Sequence, residues 1–247
     1  MGKTTRVAAI AVAVAAALSN TACSSGDDGP DGGGQGERPT SSVVAIDVSG
    51  SAAQADLEEI GITAVADRLK ALGKDSSVKV LAFDSAIGTS SCRTLEYRLE
   101  WQNNSTQFED DRKQLLKNAP AALDEYLTCV KEEAAGKDHL TDIFGSAVAS
   151  AALLDRSADT KTLDYISDGC HTLDPQIVTC SPAVEDAAWR NDVLSSLPQT
   201  RKADLDGVDV TVRGLGVGAP VEQSTIAGLR DFMSEYFSAS GAEVSIQ

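Results

Sequence analysis

The chain has 247 residues, of which 42% are hydrophobic, and its formal net charge is −16 at pH 7. This length is enough for one domain with a substantial core. The excess of Asp and Glu (37) over Lys and Arg (21) leaves no basic patch. The composition therefore excludes nucleic acid and anionic lipid head groups as favoured partners.

The first 22 residues predict a signal peptide. Two basic residues precede the apolar run Val7–Leu18, whose 12 residues are too few for a membrane-spanning helix. Ala22 then precedes Cys23, which resembles a bacterial lipoprotein processing site, although Asn20 occupies the position where such sites usually carry Leu. The resemblance implies lipidation of Cys23, and ordinary cleavage near Ala22 is the alternative. We therefore expect an exported protein that is lipid-anchored to the cell membrane and faces outside the cytoplasm.

Residues 23–41 are predicted to contain the anchor cysteine and a flexible linker, because residues 24–41 are rich in glycine and offer no apolar side chain to a core. A flexible linker of this length spans roughly 20–25 Å. Loss of the two basic residues of the signal peptide would change the formal charge from −16 to −18. Residues 42–247 remain as one domain.

The domain begins with a predicted strand–helix–strand unit. Val43–Val48 and Val78–Phe83 are short and rich in Val, Ile, Leu and Ala, which is typical of parallel strands buried on both faces. Ala52–Leu72 between them has apolar residues close to helical spacing. Thr94–Trp101 alternates apolar and charged residues and follows Phe83 too closely for a crossover helix, so we expect an antiparallel edge strand there.

The second half of the chain continues with alternating helices and strands. We predict helices over 107–117 and 121–134, separated by Pro120, a helix from Thr141 to near Arg156, a strand over Lys161–Ser167, a helix over Ala183–Ser196, a strand over Gly207–Val217, a helix over Ser224–Ser238 and a last strand over Glu243–Ile246. This order predicts an α/β fold with a doubly wound, mostly parallel sheet, one antiparallel edge strand and helices on both faces.

Four cysteines follow Cys23, an even number that favours disulfides in an exported chain. They allow three pairings, and the sequence alone does not choose among them. Cys170 and Cys180 are close enough for a local bridge worth roughly 2.5–3 kcal/mol by chain entropy, which leaves Cys92 with Cys129. Zinc is the competing interpretation, but the spacings contain no C-x-x-C element.

Asp47, Ser49 and Ser51 directly follow the apolar run Val43–Ile46. They place one carboxylate and two hydroxyls at alternate positions on the loop that leaves a predicted buried strand. Small oxygen ligands at this spacing can turn toward one point. Oxygen-only ligation suits a hard divalent cation such as Mg²⁺ better than zinc or copper.

This Asp-x-Ser-x-Ser pattern resembles the first segment of the metal-ion-dependent adhesion site of von Willebrand factor A (VWA) domains. In that family, a threonine at the start of a later helix and an aspartate after the fourth strand complete the site, and Thr141 and Asp168 stand at the corresponding places. The predicted order of elements over residues 42–247 is also similar to that of VWA domains. The resemblance implies a site for Mg²⁺, or for Mn²⁺ or Ca²⁺, formed by Asp47, Ser49, Ser51, Thr141 and Asp168.

Each of these residues also has an ordinary structural interpretation. Ser51 could cap the following helix, and Thr141 could be a plain helix N-cap. Asp168, which glycine follows, is typical of a turn. His171 follows Asp168 by three residues. It could tune a ligand or respond to pH, but we interpret it as a solvated loop histidine.

Three classes of function follow from these features. The leading hypothesis is a monomeric cell-surface binding module that recognises a protein or polymer partner through the cation, with the partner supplying an acidic group. An exported hydrolase is an alternative, but no G-x-S-x-G nucleophile elbow is present. The third class is a scaffold subunit of an envelope complex that uses other surfaces. We therefore do not predict an enzyme, and we expect membrane contact only through the lipid anchor and no contact with nucleic acid.

Overall fold

Among the residues that the structure describes, six strands form one sheet, and helices cover both of its faces. The computed structural model describes residues 38–49, 54–85, 91–92, 94–101, 105–135 and 140–247. The strands are β1 (Thr40–Asp47), β2 (Ser76–Phe83), β3 (Leu95–Leu99), β4 (Thr160–Ile166), β5 (Asp209–Arg213) and β6 (Glu243–Ile246). The α-helices are α1 (Gln54–Lys70), α2 (Ser105–Ala134), α3 (Ile143–Leu153), α4 (Ala187–Ser196) and α5 (Gln223–Ala239), with 3₁₀ turns at Pro182–Glu185 and Gln199–Arg201.

The strand order across the sheet is β3-β2-β1-β4-β5-β6. Each neighbouring pair is parallel except β2 and β3, which pair in antiparallel register at the edge. This confirms the predicted doubly wound, mostly parallel sheet with one antiparallel edge strand. β3 runs antiparallel because the connection from Phe83 to Leu95 is too short to carry the chain back across the sheet.

Strand β1 contributes to two different cores through its alternating side chains. Val43 and Ala45 belong to the cluster that contains residues of α3, α4 and α5, whereas Val44 and Ile46 belong to the cluster that contains residues of α1 and α2. Successive strand residues point to opposite faces of a sheet, so the middle of a strand that is covered on both sides is mostly apolar. This explains why β1 appears in the sequence as a continuous apolar run.

Helix α2 is continuous from Ser105 to Ala134 and carries Pro120 in its interior, so the predicted break at this residue is wrong. An interior proline costs roughly 3 kcal/mol, because it removes one backbone donor and crowds the preceding turn. The helix nevertheless buries Phe108 before the proline and Leu123 and Leu127 after it in the core beneath α1. Burial on both sides of Pro120 keeps both halves helical, because tertiary packing outweighs local propensity.

Other predicted elements are present with shifted ends. The helix predicted over Ala183–Ser196 is divided into a 3₁₀ turn and α4, and Asp186 caps α4 by accepting a hydrogen bond from the Ala188 N–H at 2.8 Å. The strand predicted to reach Val217 ends earlier, at Arg213. Gly214 follows with a φ of +86°, a left-handed conformation that cannot continue a strand.

The predicted start of the domain at Ser42 lies two residues inside β1, which begins at Thr40. Ser41 is buried, and its hydroxyl accepts a hydrogen bond from the Asp155 N–H at 2.9 Å. The predicted signal peptide, Cys23 and most of the predicted linker lie outside the described residues. Among the described helices, none combines the length and the apolar character that crossing a bilayer requires.

Two disulfides lie within the described residues. Cys92 is bonded to Cys129, with 6.0 Å between their Cα atoms, and Cys170 is bonded to Cys180, with 5.0 Å between theirs. The first bridge ties the segment before β3 to α2, and the second closes the loop that follows β4. Both of the predicted pairings are therefore confirmed.

Candidate metal centre

Two of the predicted ligands, Asp47 and Asp168, lie where two neighbouring parallel strands end. Asp47 is the last residue of β1, and Asp168 follows the end of β4 by two residues. β1 and β4 are neighbours in the sheet. The next strand beyond β1 is β2, and the next strand beyond β4, on the opposite side, is β5. This is the topological switch point, where open α/β sheets bind ligands beyond the carboxyl ends of their strands.

Both carboxylate oxygens of Asp47 accept hydrogen bonds. Oδ1 accepts from the backbone N–H of Ser49 at 3.0 Å, and Oδ2 accepts from the hydroxyl of Ser167 at 2.7 Å. Asp47 is only 1% exposed, so these bonds fix its orientation. Ser167, which was not predicted as a site residue, holds the β1 carboxylate from the end of the neighbouring strand. The sequence does contain a signal for Ser167, since this serine stands directly between an apolar run and the predicted ligand Asp168.

Thr141 turns its hydroxyl into the site. Its Oγ1 donates a hydrogen bond to Oγ of Ser49 at 2.6 Å, and both side chains are buried. The interpretation of Thr141 as a plain N-cap is wrong, because Asp142 caps α3 by accepting from the Gly145 N–H at 3.0 Å. Asp142 also pairs with Arg201 at 2.5 Å. The capping role therefore falls to the next residue and leaves the Thr141 hydroxyl to the site.

Asp168 is buried and held by the backbone around it. Its Oδ1 accepts a hydrogen bond from the Cys170 N–H at 2.8 Å, and its carbonyl accepts one from the Gly216 N–H at 2.9 Å. Gly169 follows with a φ of +83°, and a side chain there would meet Leu215. The left-handed glycine redirects the chain immediately after the carboxylate, and the hydrogen bond from the Cys170 N–H holds Asp168 at the end of the sheet.

The electrostatics of these residues fit a divalent cation. The pKa of Asp47 is raised to about 6, chiefly by burial and also by the nearby Asp168 carboxylate, although hydrogen bonds from Ser49 and Ser167 lower it. Among the described residues, no Lys, Arg or His forms an ion pair with Asp47. The Asp168 carboxylate thus disfavours a negative charge on Asp47, and a bound cation would relieve this repulsion.

The chemistry of the donors also limits which cation fits. Within the described ranges, no three His, Cys, Asp or Glu side chains come together in a group that could hold a metal. A cation here would depend on the hydroxyls of Ser49 and Thr141 together with two carboxylates, an oxygen-only set that suits Mg²⁺ or Mn²⁺. Ser51 lies outside the described residues, so its part in the site stays a prediction.

His171 is fully buried, so its interpretation as a solvated loop histidine is wrong. Its Nδ1 accepts a hydrogen bond from the Ile143 N–H at 3.3 Å, and its ring packs on Phe144 with 4.7 Å between the ring centroids. Burial lowers the pKa of His171 to about 4. The imidazole is therefore neutral at pH 7 and packs the loop after β4 against the start of α3.

Comparison with models of known protein families finds no match for this chain, and comparison with curated proteins finds none either. The VWA resemblance therefore stays a prediction from the sequence pattern and from the order of the predicted elements.

Proposed function

We propose that the protein is a VWA-like binding module that recognises a protein or polymer partner through a divalent cation, with Mg²⁺ as the preferred ion. The observation that carries the proposal is the hydrogen-bonded cluster of Thr141, Ser49 and Asp47 at the switch point of the sheet, with Asp168 beside it. These residues come from three separate segments, and their oxygen atoms suit a hard cation.

The composition of the cluster favours binding over closed, structural ligation. Two carboxylates roughly neutralise a divalent ion, and the hydroxyls of Ser49 and Thr141 add no further negative charge. Such a cation supplies an electrophilic position that an acidic group of a partner can occupy. A cage with more carboxylates would satisfy the ion and weaken this attraction. Asp47 and Asp168 would hold the charge of the ion, while Ser49, Thr141 and the predicted ligand Ser51 would supply neutral hydroxyls.

The geometry does not favour a hydrolase. A serine nucleophile needs a base within hydrogen-bond reach. His171 is fully buried, its Nδ1 accepts from a backbone N–H, and no described serine hydroxyl bonds to its Nε2. Ser49 instead accepts from Thr141 and is a hydrogen-bond partner of Asp47.

The proposal places the domain outside the cytoplasm, on a linker that begins at Cys23, as a monomer. The net charge of −16 opposes the approach of an acidic partner at long range. Association should therefore be slow at low salt and faster as salt screens the repulsion. The cation acts only at contact distance, where its attraction for one acidic group outweighs the distant charges.

Affinity capture from the native cell surface, with and without Mg²⁺, tests this function. Captured partners should be released by EDTA and should not bind Asp47→Asn. The matched control is Asp110→Asn, which removes the same charge from an exposed site on α2 and should leave capture unchanged. A partner that stays bound in excess EDTA, and that also binds Asp47→Asn, would contradict the proposal and favour the scaffold class.

A further inference from the structure

The loop that follows β4 is bonded to the segment that carries Thr141. The backbone N–H of Thr141 donates to Oγ1 of Thr172 at 2.9 Å, and its carbonyl accepts from the N–H groups of Thr172 at 3.1 Å and of Leu173 at 3.2 Å. The N–H of Ile143 donates to Nδ1 of His171 at 3.3 Å. Four hydrogen bonds therefore hold the Thr141 segment on this loop.

The same loop is closed on itself. The disulfide joins Cys170 to Cys180, and the buried Thr179 connects the two ends. Thr179 Oγ1 donates to the carbonyl of Gly169 at 2.5 Å and accepts from the N–H of His171 at 2.7 Å. With His171 also fully buried, the residues that contact the Thr141 segment are fixed relative to the end of β4.

The loop also begins at the other candidate ligand. Asp168 directly precedes it, and the N–H of Cys170 donates to Oδ1 of Asp168 at 2.8 Å. The disulfide-closed loop thus contacts two of the predicted ligands. Its first residue, Cys170, bonds to the carboxylate of Asp168, and Thr172 bonds to the backbone of Thr141. The spacing between Asp168 and Thr141, which 27 residues separate in sequence, depends on this loop.

We propose that the Cys170–Cys180 loop is the positioning element of the metal centre, and that Thr172 is its main positioning residue. The inference rests on the proposed function, since it concerns the same cation site. Thr172 acts through the backbone of Thr141, whose hydroxyl must face Ser49 when the ion binds. Groups that orient metal ligands in this way typically change metal affinity by about 10- to 100-fold when they are removed.

Two matched pairs of variants of the purified protein test the proposal. Thr172→Val keeps the side-chain shape but removes the acceptor for the Thr141 N–H, whereas Thr172→Ser keeps that acceptor. The double variant Cys170→Ser/Cys180→Ser opens the loop, whereas Cys92→Ser/Cys129→Ser opens the other bridge, which joins the segment before β3 to α2. Mg²⁺ and Mn²⁺ affinities are measured by calorimetry, and melting temperatures are measured in EDTA.

We expect Thr172→Val and Cys170→Ser/Cys180→Ser to lose about 10- to 100-fold in metal affinity. Thr172→Ser should stay close to wild type. Cys92→Ser/Cys129→Ser should lower the melting temperature at least as much as the loop variant, because it opens a longer loop, but should keep its metal affinity. The inference is overturned if Thr172→Val and the loop variant keep the metal affinity of wild type. It is also overturned if Cys92→Ser/Cys129→Ser loses as much metal affinity as the loop variant. Neither result would argue against the metal site itself.

Amide hydrogen exchange without metal separates this inference from the proposed function. Exchange at Ile143, Thr172 and Leu173 should accelerate when the Cys170–Cys180 bridge is opened and should stay slow when the Cys92–Cys129 bridge is opened. A wild-type protein that binds no cation would refute the proposed function, and the exchange pattern would then decide whether the loop fixes Thr141. Equal exchange in the two double variants would refute the positioning role.

Discussion

The side-chain oxygens of Ser49 and Thr141 lie 2.6 Å apart, although 92 residues separate them in the chain. Ser49 follows the strand at the centre of the sheet, and Thr141 precedes α3, on the opposite side of the sheet from α1 and α2. The hydroxyl of Thr141 donates, so an oxygen of Ser49 faces it directly. The contact brings two segments of the candidate site together next to the buried carboxylate of Asp47.

This contact predicts how the site responds to loss of one hydroxyl. Thr141→Val removes the Oγ1 atom with little change in shape, so we expect metal affinity to fall by at least about tenfold. The stability of the metal-free protein should fall by only about 1 kcal/mol, the usual net value of one hydrogen bond. Calorimetry and urea unfolding in EDTA measure the two effects.

Thr141→Ser is the matched variant, because it keeps the hydroxyl. It should recover most of the affinity that Thr141→Val loses. If both variants bind Mg²⁺ as tightly as wild type, the Thr141 hydroxyl has no part in metal binding and serves only to join the two segments.

The two disulfides should differ in their contribution to stability. Chain-entropy arguments give almost 4 kcal/mol for the Cys92–Cys129 bridge, with its sequence separation of 37 residues, and about 2.5–3 kcal/mol for Cys170–Cys180, with its separation of 10. Urea unfolding of the two double serine variants measures these costs. Peptide mapping without reduction should recover both bridges from native protein, and free thiols at Cys170 and Cys180 would refute the local bridge.

The buried His171 predicts a specific loss of stability in acid. Its pKa is lowered from 6.5 to about 4, chiefly by burial, with opposing smaller effects from Asp142 and Asp174 and a further lowering by Arg201. Between these values the unfolded chain binds a proton that the folded state excludes, so the free energy of unfolding falls as the pH drops from 6.5 to 4. The contribution of this one group is at most about 3 kcal/mol.

His171→Asn isolates this effect, because the asparagine oxygen can accept the Ile143 N–H in place of Nδ1. The difference in unfolding free energy between wild type and variant should shrink or change sign as the pH falls through this window, when measured by urea unfolding in EDTA. Parallel curves for the two proteins between pH 6.5 and 4 would show that His171 already titrates normally in the folded state.

Much of the fold was predictable because local pattern and final environment agree. Val43–Ile46 is apolar at every position, and β1 is covered on both faces, so this run matches the environment of a central strand. The local rule that an interior proline interrupts a helix fails for Pro120 in α2. The packing on either side of this proline was not visible in the sequence. Burial decided the outcome there, and it depends on residues from β2 and β3.

The candidate site was predictable in its positions and not in its details. Asp47 and Asp168 stand at strand ends, so topology alone brings them together. The burial of His171 depends instead on a loop that folds back onto α3 and bonds to Ile143, 28 residues earlier in the chain. The same long-range folding gives the N-cap of α3 to Asp142, because Thr141 is held by Thr172 and Ser49. No local sequence pattern carries this information.

A buried charge cluster away from the site predicts a further stability effect. Asp164 on β4 is 1% exposed at its side chain and lies 2.5 Å from Nε of Arg68 on α1 and 3.3 Å from a terminal nitrogen of Arg213 on β5. Replacing both arginines with methionine leaves a buried carboxylate without a cation, so we expect a loss of about 3–5 kcal/mol.

Removal of the carboxylate should rescue that loss. Adding Asp164→Leu to the double methionine variant replaces the whole cluster with apolar side chains, which is often neutral or stabilising. Urea unfolding compares the three proteins. If the double variant loses less than about 1 kcal/mol, these ion pairs do not hold α1 against β4.

Calorimetric titration of Mg²⁺ and Mn²⁺ into metal-free protein tests the central claim most directly, with wild type, Asp47→Asn and Asp110→Asn compared in one experiment. Asp47→Asn keeps the size of the side chain and an acceptor for the Ser49 N–H but removes the charge. We predict that wild type and Asp110→Asn bind one ion, and that Asp47→Asn binds none while its circular dichroism spectrum stays close to native. Equal affinity in wild type and Asp47→Asn, or no binding in any of the three, would contradict a metal centre at this site.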